Sequence, residues 1–392
     1  MSHSLMSKLT LLPLSRLYGM GTWVRNKMFD WGMLKEHEFD VPVIVVGNLA
    51  AGGTGKTPHT EYIVNLLRTT RRVGVLSRGY RRRTKGFVLT TPHSTPRDVG
   101  DESYMMYHKF GRQVMVAVCE DRVSGIRKML EIDPKLDVIV LDDAFQHRYV
   151  KPRISVVLTE YERPSFEDSL LPYGRLRENA RGITRADIVI ATKCPSDIKP
   201  IEYNIFDKNL NLLAGQARFF SRLRYERLRP VFPDVALPAP RLSQLTSADM
   251  LLAVCGIGNP RPFVRHLKDF DAKVKVNIFP DHHEYTRKDA ELLEQRFDSM
   301  KGEQRFIITT EKDAVRLINS PYFPHRLKPY LFFLPIRVEF IDHHAASTSP
   351  VLAGRAARAE RQNQGVNPAA EAFNSTLLRL LAQKSFLAVN PK

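Results

Sequence analysis

Apolar residues in this chain gather in short uninterrupted runs more often than in alternation. Runs at 41–46, 73–76, 114–118, 138–141, 186–191, 250–257 and 306–308 are rich in valine, isoleucine and leucine. Runs of this length, bounded by polar or glycine-bearing segments, read as strands buried on both faces, as in a parallel sheet. Helices are expected from Pro58, at 103–109 and at 261–270, with further helical pieces at 355–360 and 374–384. Strand and helix in alternation define an α/β protein with a mostly parallel sheet.

The amino-terminal stretch follows a different pattern. On a helical wheel Leu14, Leu17, Tyr18, Val24 and Met28 share one side, with Trp31 continuing the stripe, while Arg16 and Lys27 point away. The first 28 residues hold Lys8, Arg16, Arg25 and Lys27 and no acid. A secretory signal is a poor match, since Pro13 interrupts the apolar stretch 9–14 and no small-residue cleavage pattern follows. Such an amphipathic helix can pack on its own domain or lie in a bilayer interface with its cations near lipid headgroups. The pattern leaves both readings open.

With 392 residues, 43% of them hydrophobic, the chain is long enough for two substantial cores at about 150 residues per domain. The expected division is an amphipathic helical segment at 1–35, a first α/β domain at 36–215, a connector at 216–245, a smaller α/β domain at 246–342 and a tail at 343–392. No run of 18 apolar residues is present, so no ordinary membrane span is expected. Three distant cysteines, Cys119, Cys194 and Cys255, form neither a disulfide framework nor a thiolate metal site. The net charge of +17 admits nucleic acid, an anionic membrane face or a phosphorylated small molecule as partner. Nucleic acid is excluded by the lack of an interleaved aromatic platform or recognition-helix pattern; no protein partner is expected.

The sharpest chemical signal lies at 41–58. A β-branched run leads into Gly52, Gly53, Thr54 and Gly55, then Lys56 and Thr57, with Pro58 in the first helical turn. Strand, glycine loop and helix in that order are the context of a phosphate loop, whose backbone N–H groups cradle phosphate oxygens beside a helix dipole. Lys56 would reach the β and γ phosphates and Thr57 would hold Mg²⁺. Ala50 replaces the glycine of the strict pattern, but the part that wraps the phosphates is intact. A second buried strand ends in Asp142 and Asp143; adjacent carboxylates there are costly unless a cation neutralises them, and either one suits a metal. The first domain is therefore expected to be a phosphate-loop nucleotide-binding sheet.

Polar groups recur at other strand ends, where open parallel sheets place their sites. Arg78 follows the run at 73–76, Asp101 and Glu102 open the helix at 103–109, and Arg122 follows the run at 114–118. Arg122 is suited to neutralising a transferring phosphoryl group. In the second domain, Gly256 and Gly258 read as a tight turn, with a second nucleotide site as the weaker alternative. Asp281, His282 and His283 suit proton handling, metal ligation by His283 being formally possible. These residues alone admit a phosphate-loop kinase or hydrolase acting on a soluble acceptor.

The ordered set of motifs resembles the tetraacyldisaccharide 4'-kinase family, the lipid A 4'-kinases of Gram-negative bacteria. It comprises 13–19, 47–58, 77–80, 100–102, 142–147, 171–178, 256–260, 281–282 and 310–313. Ser103 and Ala144 stand where proline and glycine are usual. The resemblance implies transfer of the γ-phosphate of ATP, with Mg²⁺, to the 4'-hydroxyl of an acylated glucosamine disaccharide 1-phosphate, giving lipid IVA. It implies Asp101 and His282 as a proton-accepting pair that brings the two domains together around a closing cleft. Lys56 and Arg122 would act on the phosphates, Glu102 with Asp143 or Asp142 on the metal, and Arg78, Asn48, Gln146 and Arg175 on the substrate. It also implies peripheral contact with the anionic cytoplasmic face of the bacterial inner membrane through the amino-terminal helix. The tail beyond about 343 lies outside the resemblance.

Overall fold

In the computed structural model, residues 5–195, 197–341 and 367–386 are described. The strands are β1 (Val43–Asn48), β2 (Val73–Ser77), β3 (Val88–Leu89), β4 (Val114–Val118), β5 (Val138–Asp142), β6 (Ile154–Glu160), β7 (Ile188–Thr192), β8 (Ala217–Tyr225), β9 (Arg229–Pro230), β10 (Met250–Cys255), β11 (Lys273–Ile278), β12 (Arg305–Thr310), β13 (Leu331–Leu334) and β14 (Ile336–Ile341). The helices used below are α1 (Leu5–Asp30), α2 (Lys56–Leu67), α3 (Pro96–Val99), α4 (Asp101–Phe110), α5 (Arg122–Ile132), α6 (Pro200–Leu210), α7 (Arg261–Lys268), α8 (Arg287–Asp298), α9 (Glu311–Ile318) and α10 (Pro368–Phe386). The described residues form two compact units: those within 1–78, 112–223 and 338–392 make the first, and those within 79–111 and 224–337 the second.

The sheet of the first unit runs in the order β14-β8-β7-β6-β1-β5-β2-β4. From β7 to β4 its neighbours are parallel, and the apolar runs of β1 and β5 are buried along their whole length, as central strands of a parallel sheet are. Chain order reverses at β1, which lies between β5 and β6; the loop after β1 therefore opens at the switch point where such sheets bind ligands. Register sets Val46 level with Asp142, so the end of β5 lies directly below that loop.

In the second unit the sheet order is β11-β10-β12-β13-β9, parallel except for β9. Its reversal occurs at β10, between β11 and β12. Two apolar layers flank this sheet, one around Leu252, Val254 and Ile307 and the other around Leu251, Ala253 and Phe332.

Several boundaries differ from the sequence reading, and residues 338–341, expected in the smaller domain, lie in the first unit within β14. Residues 79–111 belong to the second unit, because α4 packs on α9: Lys109 pairs with Glu311 at 3.3 Å, Lys312 with Glu102 at 2.5 Å and Arg316 with Asp101 at 2.6 Å. Residues 217–225, expected in a connector as a short strand-like piece at 217–220, are a nine-residue strand paired in parallel with β7, Ile188 level with Ala217. Within the expected tail, α10 is part of the first unit: Phe373 is fully buried, its ring stacked on Phe340 at 4.4 Å, and Tyr62 donates to Asn374 at 3.0 Å. The helical piece expected at 355–360 lies outside the described residues.

Helix α1 is docked on the first unit by one side. Ser15 donates to the Leu170 carbonyl at 2.7 Å, Tyr18 to that of Arg177 at 2.8 Å, and Asn26 to Glu178 at 3.0 Å, while Phe29 is buried edge-on to Tyr149. The other side leaves Leu14, Leu17, Met20, Trp23 and Val24 exposed, followed by Trp31 and Met33. Among the described residues no helix is long and apolar enough to cross a membrane.

Truncating a fully buried aromatic side chain costs about 3–5 kcal/mol. Phe373→Ala is therefore expected to lower the unfolding free energy of the first unit by about that amount in denaturant titration. An unchanged midpoint would mean that α10 is not part of this core.

Candidate active site

The loop between β1 and α2 bends through left-handed backbone. Gly52 has φ +113° and Gly55 φ +91°, conformations that side chains with a Cβ rarely adopt. A Cβ on Gly52 or Gly53 would meet nothing within 4 Å, so the turn is open above its amides. Below, it is tied down: Asn48 Nδ2 donates to Thr54 Oγ1 at 2.8 Å, and Thr192 Oγ1 donates to the Thr54 carbonyl at 2.9 Å. His59 Nδ1, one turn into α2, donates to the Gly55 carbonyl at 2.7 Å, and its Nε2 accepts from Ser221 Oγ at 2.9 Å. Burial depresses the His59 pKa to about 4, so the ring is neutral. Lys56 Nζ lies 3.5 Å from the Gly52 carbonyl and 3.6 Å from Asp143 Oδ1, folded back over the loop.

Asp142 ends β5 and is buried; Thr60 Oγ1 donates to its Oδ1 at 2.8 Å. Asp143 follows at φ +49°, a left-handed conformation found most often for aspartate, asparagine and histidine among side-chain-bearing residues. Burial would raise the Asp143 pKa, but Lys56, Arg177 and Arg122 outweigh it and hold the group well below the usual carboxylate range. Arg177 Nη1 donates to Asp143 Oδ1 at 3.0 Å. Arg122, the first residue of α5, is buried; its Nη1 donates to the carbonyls of Cys119 at 2.9 Å and Glu120 at 3.1 Å. Its Nε has no hydrogen-bond partner among the described residues. Burial lowers its pKa to about 10, with Asp143 opposing and Arg78 reinforcing the shift.

In the second unit, Asp101 opens α4 and His282 follows β11. His282 Nδ1 lies 3.1 Å from Asp101 Oδ2, its backbone held at φ +59° with its N–H on the Gly256 carbonyl at 3.1 Å. The Tyr80 ring meets the imidazole edge-on at 5.3 Å. Burial alone would raise the Asp101 pKa; hydrogen bonds from His282 and Arg316 reverse this and lower it. Arg316 donates to Asp101 Oδ2 through Nε at 2.9 Å and Nη2 at 2.6 Å. Glu102 is paired with Lys312, whose pKa rises because the carboxylate outweighs burial.

The sequence-predicted residues thus fall into two groups. Asn48, Gly52, Gly53, Thr54, Gly55, Lys56, Thr57, Arg122, Asp142 and Asp143 gather at the carboxyl edge of the first sheet; Asp101, Glu102 and His282 gather in the second unit. Arg78 ends the first group's β2 side, close enough for its charge to act on Arg122 and His147. Two expected substrate residues are engaged within the protein: Arg175 binds Asp168 at 2.9 Å and Glu160 at 2.8 Å, and Gln146 Nε2 donates to the Asn48 carbonyl at 2.8 Å and to Glu178 at 3.1 Å. His283 is paired with Asp289 at 2.9 Å and stacked on Phe279, a packing role rather than metal ligation. Arg177, Lys312 and Arg316 were not singled out from the sequence. The i, i+4 spacing of Lys312 and Arg316 in a helix that begins at a strand end was the available signal.

The first group fits a nucleotide phosphate chain: an open turn of amides, a lysine over it and a buried arginine with an unengaged donor. No cluster of three or more His, Cys, Asp or Glu able to hold a metal exists among the described residues. Mg²⁺ is usually held by one or two carboxylates together with substrate phosphates and water; Thr57, Asp142 and Asp143 offer hard oxygens of that kind.

Comparison with known proteins agrees with this geometry. The family profile described as tetraacyldisaccharide-1-P 4'-kinase matches residues 7–352. A tetraacyldisaccharide 4'-kinase of Bacteroides thetaiotaomicron is 50% identical over 340 residues, covering 85% of this chain and 89% of its own. One from Porphyromonas gingivalis is 41% identical over 337 residues, covering 84% and 92%. A crystal structure from Aquifex aeolicus, titled an "apo" form of LpxK in complex with ATP, matches with a TM-score of 0.64 at 29% identity, covering 85% of this chain and 95% of that one.

The neutral His59 makes the phosphate-loop unit acid-sensitive. Its folded pKa of about 4 lies below the unfolded 6.5, so the unfolded chain binds the proton first. Stability is full above pH 6.5 and falls toward pH 4, by at most about 3 kcal/mol from this residue. Denaturant titrations across that window are expected to show a shallower acid loss for His59→Gln than for the unmodified chain. Parallel pH profiles would contradict the assignment.

Proposed function

The chain belongs to the tetraacyldisaccharide-1-P 4'-kinase family, and on that premise we propose how its residues phosphorylate the 4' position of a tetraacyldisaccharide 1-phosphate in lipid A biosynthesis. The first unit holds ATP. Backbone amides of residues 52–55 and Lys56 bind the β and γ phosphates, and Arg122 donates to the phosphoryl group as charge moves onto its oxygens. Thr57 with Asp142 or Asp143 would hold Mg²⁺, and Glu102 is a further candidate once released from Lys312. When bound, Mg²⁺ neutralises phosphate charge and aligns the leaving oxygen. Arg78 and Asn48 remain candidates for the substrate. Gln146 and Arg175 support the site through their partners, Gln146 beneath the end of β1 and Arg175 in the loop that carries Arg177.

The second unit carries the proton acceptor. With Nδ1–H donated to Asp101, His282 keeps a lone pair on Nε2. As the 4'-oxygen forms its bond to the γ-phosphorus and the bond to the β-phosphate oxygen breaks, the hydroxyl proton passes to Nε2 and ADP leaves. Asp101, held ionised, orients the ring and stabilises the imidazolium. The observation that carries this reading is the assembly of Lys56, Arg122 and Arg177 around paired strand-end carboxylates beside an open glycine turn.

The acceptor is acylated, and the exposed stripe of α1 supplies a surface for it. Leu14, Leu17, Met20, Trp23 and Val24 are more exposed than a helix docked by its apolar side would leave them. We assign this stripe to peripheral contact with an anionic bilayer at the cytoplasmic face of the inner membrane, the net charge of +17 favouring that surface.

Lys56→Ala is expected to lower labelled-phosphate transfer from ATP to lipid in detergent micelles by about 10²-fold or more, with an unchanged far-ultraviolet spectrum; near-normal turnover would sink the role. Chelation of divalent metal should stop transfer and added Mg²⁺ restore it, whereas turnover in excess chelator would remove the metal from the account. Leu17→Glu with Trp23→Glu should reduce flotation with anionic vesicles while leaving ATP affinity unchanged. Undiminished flotation would count against the helix as the contact.

A further inference from the structure

Two sequence motifs, the turn at 256–260 and the strand-end cluster at 310–313, have no part in the chemistry above, yet both converge on one side chain. Arg316 is almost wholly buried in α9. Its Nη1 donates to the Gly256 carbonyl at 2.8 Å and to Asp313 Oδ1 at 2.9 Å, and its Nε and Nη2 both donate to Asp101 Oδ2. The Gly256 carbonyl is the same atom that accepts the His282 backbone N–H. Asp313 is fully buried and itself fixed, accepting from the Gly256 N–H at 3.0 Å and from Thr310 Oγ1 at 2.6 Å. A Cβ on Gly256 would lie 3.0 Å from the Pro280 carbonyl and 3.2 Å from both Asp313 Oδ1 and His283 Cβ, so a side chain there would push on the network.

From this network we infer that Arg316 is a positioning residue for the reaction: it locks the Asp101 carboxylate against His282, and the motifs at 256–260 and 310–313 exist to hold Arg316. The inference rests on the reading of Asp101 and His282 as the proton-accepting pair. Arg316 presents a planar fork with donors in fixed directions. Two of its nitrogens hold one carboxylate oxygen, the oxygen that His282 Nδ1 also faces, and Nη2 lies 3.2 Å from Nδ1 itself. A third contact runs to the carbonyl that anchors the histidine backbone. The carboxylate and the imidazole therefore share one reference frame set by one guanidinium. A carboxylate without it swings away from Nδ1 and leaves the ring free to turn, a misplacement that costs rate rather than nucleotide affinity.

The test is a double-mutant cycle on the full chain with ATP, Mg²⁺ and tetraacyldisaccharide 1-phosphate in micelles. Arg316→Ala is expected to lower kcat by about 10-fold or more while the KM for ATP stays within about twofold. In the Asp101→Ala background the same change should cost severalfold less than in the unmodified chain, because the carboxylate it aligns is gone and only its contact with His282 Nδ1 is left. If Arg316→Ala does not fold, Arg316→Lys carries the test. One ammonium in place of the fork should lower kcat severalfold, with thermal stability near that of the unmodified chain, and add nothing to Asp101→Ala. Losses that multiply in either cycle, or an Arg316 variant that turns over normally, overturn the inference while leaving the pair intact. Normal turnover of Asp101→Ala itself overturns the reading of the pair and the inference with it.

Discussion

Two adjacent carboxylates at the end of a buried strand are unfavourable unless positive charge surrounds them, and the first unit is organised around that requirement. Asp142 and Asp143 sit where β5 ends level with β1. Lys56 reaches Asp143 from the glycine turn, Arg177 from a neighbouring loop and Arg122 from the start of α5. The cations that make the carboxylates tolerable are those a phosphate chain needs, and the carboxylates are what a magnesium ion bound to phosphate needs. In the proposed mechanism, neutralisation and catalysis use one set of residues.

The second unit solves a similar problem with a fixed guanidinium. Asp313 and Asp101 are both withdrawn from solvent, and Arg316 lies between them, bonded to each. Bonded to Arg316 and His282, Asp101 has its pKa lowered and stays ionised, which is what a neighbouring histidine requires when it takes a proton. Each sheet thus presents its charged groups at the point where its strand order reverses, the edge at which parallel sheets leave room for a ligand.

Much of this is legible in the sequence. Uninterrupted valine and isoleucine runs announce parallel strands, and the turn at 52–57 announces the phosphate loop because few other functions need that glycine spacing before a lysine. The paired aspartates follow from the same logic, and the ordered motifs carry the family. What escapes is whatever depends on pairing across the fold. Residues 79–111 follow the first domain in sequence but belong to the second unit through Glu102, Asp101 and Lys109. The strand character of 217–220 is legible, but not that the strand runs on to Tyr225 and joins the first sheet beside β7. Phe373 gives no sign that its helix belongs to a core formed some 300 residues earlier. Arg175 and Arg177 look equivalent in one loop; only their partners, Asp168 and Glu160 for one and Asp143 for the other, separate scaffold from site.

This chain moves a phosphoryl group from ATP to one particular hydroxyl of an acylated disaccharide. The most direct test is a phosphorus–proton correlation spectrum of the lipid product made by the purified chain with ATP and Mg²⁺. The account predicts a new phosphomonoester signal correlated with the proton on the 4' carbon, in addition to the existing signal at position 1. Inorganic phosphate as the sole new signal, or a correlation to any other ring proton, would contradict it.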